Sequence, residues 1–330
     1  MQSAHKRKGL KMKKMFATLV TIMTISTSVY AAYPEKPITA IVPFPPGGST
    51  DTIARAMAPK MSEKLGQQVI LENKPGATGA IGATFVKRAP ADGYTFMVAS
   101  IGVYATNPFL QKNLAYNPQK DFDLLTVAVR SPNVLVTSPK FQANTVAELI
   151  SYMKKYPDKV TFASSGAGSS DHLTAALFWQ ETGTDGIHVP YKGGAPAITD
   201  LMGGHVDVSF QNLSAVLGHI KAGKLKVLAI TSEKRAPQLP NVATLNELGI
   251  KNVNVYSWQA AVAPKGLPKT AKDKLQNAMT TTLNEPAFKQ KMADIGFEVV
   301  ANSSEQFSTF LAQELKRWEY VIVKGKIVLE

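Results

Sequence analysis

The chain has 330 residues, of which 45% are apolar, with 37 Lys+Arg against 24 Asp+Glu and no cysteine. That length and composition fit one or two ordinary globular domains and exclude a fibrous or largely disordered protein. The missing thiols exclude a disulfide framework and any thiolate zinc site, so the fold must rest on its hydrophobic core.

Residues 1–31 hold Lys6, Arg7, Lys8, Lys11, Lys13 and Lys14 with no acidic residue, followed by an apolar run from Met15 that closes on Val29, Tyr30 and Ala31. A basic segment, a short apolar run and a small residue before the cut predict a secretory signal peptide, cleaved after Ala31. The run is interrupted by threonines and serines and falls short of the ~20 residues of a spanning helix. Both Met1 and Met12 stand as starts, and the segment before Met12 is longer than a basic n-region requires. Without this leader the net charge drops from +13 to +7. So modest an excess, with no basic runs interleaved with aromatics, predicts no nucleic-acid binding.

From Ile38 onward strand-like runs alternate with helical patterns, as in α/β proteins. A strand over 38–42 passes through a Pro/Gly turn into a helix over 52–65, where Ile53, Met57, Met61 and Leu65 recur every four residues on one face. Further strands are predicted over 69–71, 95–99, 124–129, 134–136, 160–163, 187–189, 206–210, 226–230 and 255–262. Thr145 and Glu148 form a capping-box pattern at the head of a helix over 146–155, and 304–323 reads as a long amphipathic closing helix. Two places lack an intervening helix: 124–136, where Ser131-Pro132-Asn133 joins two strands, and 226–262. Two such direct crossings predict a discontinuous first lobe, 33–130 plus 254–330, and a second lobe, 131–253. A ligand cleft is expected between them.

Four Gly-rich connections follow predicted strands, at 45–51, 75–82, 164–172 and 191–194, where open parallel sheets place their ligands. A strand that turns straight into a helix aims free backbone N–H groups and a helix dipole at one spot, a seat for an anion. It can equally be a tight connection with no ligand. Neither a P-loop nor G-x-G-x-x-G is present, and no cofactor is expected. Pro45-Pro46-Gly47-Gly48-Ser49-Thr50-Asp51 in one lobe and Ser165-Gly166-Ala167-Gly168-Ser169-Ser170-Asp171-His172 in the other suit a ligand with a carboxylate at each end. Gly47 and Gly48 are expected where a Cβ would not fit beside the ligand.

Asp51 and Asp171 each stand at a helix start, which favours capping over a pair of catalytic carboxylates. His172 is either a donor to a bound carboxylate or a residue packed under its loop, and Lys192 either an anion partner or a solvated loop residue. A hydrolase using Ser165 or Ser169 with His172 is the enzymatic alternative; the absent G-x-S-x-G elbow argues against it. The five histidines show no ligand spacing, so no metal site is expected. Trp179 reads as core, and Trp258, near the second crossing, as a cleft wall.

Six ordered motifs run through the chain: Tyr33-Pro34-x-Lys36-Pro37-Ile38, Pro43-Phe44-x-Pro46-Gly47-Gly48-x-x-Asp51, Glu72-Asn73-Lys74-Pro75-Gly76-Ala77-x-Gly79-x-Ile81-Gly82, Ala91-Asp92-Gly93-Tyr94-Thr95, His188-Val189-Pro190-Tyr191-Lys192-Gly193 and Ala263-Pro264-x-Gly266-x-Pro268. With them the chain resembles the periplasmic solute-binding receptors of tripartite tricarboxylate transporters, the Bug receptors. The resemblance implies an α/β type II periplasmic-binding fold with two lobes, each a mostly parallel sheet flanked by helices, closing on a small carboxylate. It implies a non-enzymatic, monomeric periplasmic receptor that hands a di- or tricarboxylate or an aromatic acid to membrane permease subunits. A ligand-sensing subunit of a membrane kinase is the alternative. The implied contacts are Phe44, Gly47, Gly48, Ser49, Thr50 and Asp51 with Ala99 and Ser100 on one side, and Ser164, Gly166, Gly168, Ser169, His172, Tyr191 and Gly193 on the other. The ending, 321–329, is more apolar than the polar one expected of such receptors.

Overall fold

The computed structural model describes residues 33–324 and Ile327. The predicted export segment, 1–31, lies outside the described residues, as does the apolar ending past Lys324 apart from Ile327.

The chain opens with β1 (Ile38–Val42), α1 (Ser49–Leu65), β2 (Val69–Asn73), α2 (Ala80–Arg88) and β3 (Thr95–Ser100), with β1 parallel to both β2 and β3. Helix α1 begins three residues earlier than the apolar periodicity suggests, because extended Gly48 serves as its N-cap. It ends at Gly66, whose left-handed φ of +68° lets its N–H return to the Ser62 carbonyl. Its predicted face is the buried one: Ile53, Met57 and Met61 are each at most 1% exposed. Burial of such side chains stabilises by roughly 1.5–3 kcal/mol each.

After the helical turns Gly102–Thr106 and Asn107–Leu110 comes β4 (Phe122–Thr137), a single strand of 16 residues where the sequence reading expects two. Pro132 suggests a break because it removes a ladder donor. It sits where the ladder changes hands: Pro132 is the last β4 residue facing the returning strand, and Asn133 the first facing the other half of the sheet.

That other half comprises α3 (Val146–Lys155), β5 (Thr161–Ser164), α4 (Ser170–Thr182), β6 (Ile187–Pro190), α5 (Gly194–Gly203), β7 (Val208–Asn212), α6 (Leu213–Lys221) and β8 (Lys226–Ile230). The Thr145 side chain caps α3 by accepting from the Glu148 N–H, and the Glu148 carboxylate accepts from Asn144 N–H. The chain then returns through β9 (Tyr256–Pro264), α7 (Lys269–Asn284), α8 (Pro286–Asp294), the short β10 (Glu298–Val299) and the closing helix α9 (Ser304–Lys324).

Strand order is β2-β1-β3-β9-β4-β7-β5-β6, with β8 and β10 also pairing to β4. The outer strands, β1 with β2 and β3, and β5 with β6 and β7, are parallel. The two strands that carry the chain across, β4 and β9, run antiparallel to their neighbours, so the sheet is mixed at its centre. Among the described residues no helix is long and apolar enough to cross a membrane.

Candidate functional site

Four helices start at one cleft between the two halves of the sheet. The N-caps of α1, α4, α5 and α6, namely Gly48, Ser169, Gly193 and Asn212, all line it. Only Ser169 caps its helix with its own side chain, so three helix starts leave their first N–H groups without a side-chain cap. The cleft encloses about 630 Å³ of non-atom space, open solvent at its mouth included. Its lining carries hydroxyls, amides, backbone and one carboxyl, that of Asp171, which is engaged by Ser165, but no lysine, arginine or histidine. The positive potential therefore comes from helix dipoles and N–H groups, which favours an anion without a paired cation.

The two aspartates hold the loops. Asp51, 3% exposed, accepts from Gly47 N–H at 3.0 Å, Arg55 Nε at 2.8 Å and Asn73 Nδ2 at 3.0 Å. Burial alone raises its carboxyl, but those hydrogen bonds outweigh it and hold the group below the usual carboxylate range. Asp171, also 3% exposed, accepts at 2.6 Å from both the backbone N–H and the hydroxyl of Ser165. No arginine or lysine faces it among its hydrogen-bond partners, and burial pushes its carboxyl up despite these bonds.

His172 lies packed under its loop: Nδ1 accepts from Gly168 N–H at 3.0 Å, and the ring stacks on His188 with centroids 3.8 Å apart. His188 Nε2 is 2.6 Å from the Ser164 hydroxyl. Burial, then the neighbouring His188, drives His172 down to about 3, and burial drives His188 down to about 4. Ser165 and Ser169 give their hydroxyls to Asp171 and the Gly166 carbonyl, so no histidine activates either one. No group of three potential ligand side chains is placed to hold a metal among the described residues.

Of the residues singled out in the sequence, Phe44, Gly48, Ser49, Thr50, Ser100, Ser165, Ser169, Asp171 and Gly193 line the cleft. Asp51, Gly166, Gly168 and His172 stand behind it and shape its loops, as does Ser164, whose hydroxyl accepts from Gly166 N–H. Ala99 is wholly buried beneath Ser100, and Tyr191 donates its hydroxyl to Asp200. Lys192 is exposed. The steric expectation at the two glycines divides: Gly47 has φ +90°, where glycine is favoured, whereas Gly48 is at φ −84° and a Cβ there meets nothing within 4 Å. The space beyond Gly48 is the cleft itself.

Trp258 is not a cleft wall. Strand alternation turns Ser257 and Gln259 into the cleft and sends Trp258 to the core, stacked on Tyr104 at 5.7 Å. Two polar residues at i, i+2 in an otherwise apolar strand are the signal that identifies this face. Gln211 and Asn212, at the carboxyl end of β7, also line the cleft, where the strand-end rule looks for ligand contacts. Thr78 completes the rim, its hydroxyl donating across to the Ala167 carbonyl at 3.1 Å.

The family model described as "Tripartite tricarboxylate transporter family receptor" matches residues 53–327. The chain belongs to this family. The receptor superposes on the structure of periplasmic binding protein BugD with a TM-score of 0.86 at 37% identity, covering 90% of this chain and 100% of BugD. Against Rpa4515 of Rhodopseudomonas palustris with adipate the TM-score is 0.88 at 35% identity, covering 90% and 99%. Against MatC of the same organism with bound malate it is 0.84 at 30% identity, covering 88% and 100%. The receptor therefore has the two-lobed periplasmic-binding fold of a solute-binding protein, and its family is not one of enzymes.

Proposed function

We propose that this receptor captures a small dicarboxylate between lobes formed by 33–130 plus 254–330 and by 131–253, and delivers it to membrane permease subunits after export and cleavage at Ala31. The observation that carries this reading is the convergence of four helix N-termini on one cleft whose lining holds no cationic side chain. Helix starts from both halves suit an acid with a carboxylate at each end, and the adipate and malate bound to the two relatives belong to that class. The material to assay is the exported form, whose intact mass should match a chain beginning at Ala32.

Thermal shift with succinate, malate, adipate, citrate and benzoate tests the ligand class. A dicarboxylate at about 100 times its Kd should stabilise by about 2.7 kcal/mol, a rise of about 5 °C for a chain of this size. A response to benzoate alone, or to none of the five, removes the dicarboxylate reading.

Contacts across the cleft support closure around the ligand. Besides Thr78, the Thr106 hydroxyl donates to Gly168 carbonyl at 2.6 Å, and the Ser49 and Ser214 hydroxyls lie 3.1 Å apart. Closure of the proposed lobes would turn on the residues where the chain crosses between them, near 131–133 and 252–256. Solution scattering should give a smaller radius of gyration with saturating dicarboxylate than without. An unchanged radius would mean a rigid pocket and leave closure without a role.

A further inference from the structure

Five buried side-chain polar atoms lack a hydrogen-bond partner among the described residues: Asn107 Oδ1, Thr137 Oγ1, Trp179 Nε1, Gln259 Oε1 and Thr282 Oγ1. Only Gln259 belongs to the lining of the cleft. It is 1% exposed, lies opposite Ser100 in the β3–β9 register, and gives its amide N–H to the Ser257 hydroxyl at 3.1 Å. Its carbonyl oxygen is left as an unused acceptor in a residue that lines the cleft.

Several other side-chain acceptors around the cleft are already engaged. Asp171 Oδ2 is taken by Ser165 and Gln211, and Asn133 Oδ1 and Ser170 Oγ by Asn212 Nδ2. A buried carbonyl without a donor is costly, and a ligand that brings a donor relieves that cost. A plain aliphatic diacid in its dianionic form has no donor to bring. A hydroxyl or ammonium on the carbon chain supplies one, at a point between the two carboxylates held by the helix starts.

Resting on the dicarboxylate reading above, we propose that Gln259 is a specificity-determining residue, whose Oε1 selects dicarboxylates carrying a hydrogen-bond donor on their backbone over the unsubstituted diacids. Hydroxyl and ammonium share this chemistry, and malate and aspartate separate them against succinate as the common reference.

Calorimetry on the exported protein should show malate or aspartate binding at least about tenfold more tightly than succinate, the gain expected from satisfying a buried acceptor. In Gln259→Leu the ratio should collapse towards one through weaker binding of the donor-bearing acid. A wild-type ratio near one or below overturns the proposal without recourse to a variant. So does a Gln259→Leu protein that keeps the wild-type ratio, or that loses succinate and malate equally, since the amide would then be donating to a carboxylate common to both. If no dicarboxylate binds at all, the dicarboxylate reading itself falls; if all three bind alike, only the selection by Gln259 does.

Discussion

Replacing Glu314 by alanine should destabilise the fold by on the order of 4 kcal/mol, because it leaves two buried indole N–H groups unmet at roughly 1–3 kcal/mol each. Glu314, on the closing helix α9, is 9% exposed, and its Oε2 accepts from Trp258 Nε1 at 2.8 Å and from Trp318 Nε1 at 3.0 Å. Trp318 lies one turn along the same helix, whereas Trp258 lies on β9, so the carboxylate ties the end of the chain to the returning strand. Around it Trp258 stacks on Tyr104 and meets Phe307 and Phe310 edge-on. Glu314→Gln keeps an acceptor of the same shape and should lose only about 1 kcal/mol, the difference between a charged and a neutral hydrogen bond. Urea unfolding of the three proteins measures both values. Equal losses for alanine and glutamine, or a loss under about 1 kcal/mol for alanine, would show that the indoles find other partners and that the carboxylate is not the tie.

This carboxylate illustrates which parts of the molecule were legible in the sequence. The amphipathic period of 304–323 gives the closing helix, but nothing in its spacing says that Glu314 turns inward, since the partner indole is 56 residues away. The first loop reads well because Pro43 to Asp51 carries its geometry locally: a strand end, a turn glycine with positive φ at Gly47, and an acidic residue that returns to the Gly47 N–H. The second loop reads well for the same reason, through Ser165 and Asp171. Pro132 misleads because a proline ends a strand only when its N–H is needed, and here the partner strand changes at that residue. Trp258 misleads because its place near the second crossing suits a cleft wall, whereas alternation gives the cleft face to Ser257 and Gln259 on either side. The helix start at Asn212 is faint because its contribution is main-chain N–H, which any sequence supplies.

Lowering the pH from 7 to 4.5 should destabilise the protein by on the order of 2 kcal/mol for each of the two stacked imidazoles, His172 and His188. An unfolded histidine takes up a proton near pH 6.5. In the fold, burial and then the neighbouring ring hold His172 down to about 3, and burial holds His188 down to about 4. Between these values and 6.5 the unfolded chain binds more protons than the native one, so stability rises with pH in that window. The contribution is complete above about pH 6.5 and is lost progressively as pH falls towards 4. The geometry explains why the native state refuses the protons. His172 Nδ1 is already an acceptor for Gly168 N–H, and a second charge would sit 3.8 Å from the first. Burial raises the Asp171 carboxyl, a shift of opposite sign, so comparison with a variant that removes an imidazole isolates the histidine part. Urea unfolding at pH 7 and 4.5 should show His188→Gln losing about 2 kcal/mol less between the two values than the wild type does. If the two proteins lose the same amount, the stacked rings are not what the acid attacks.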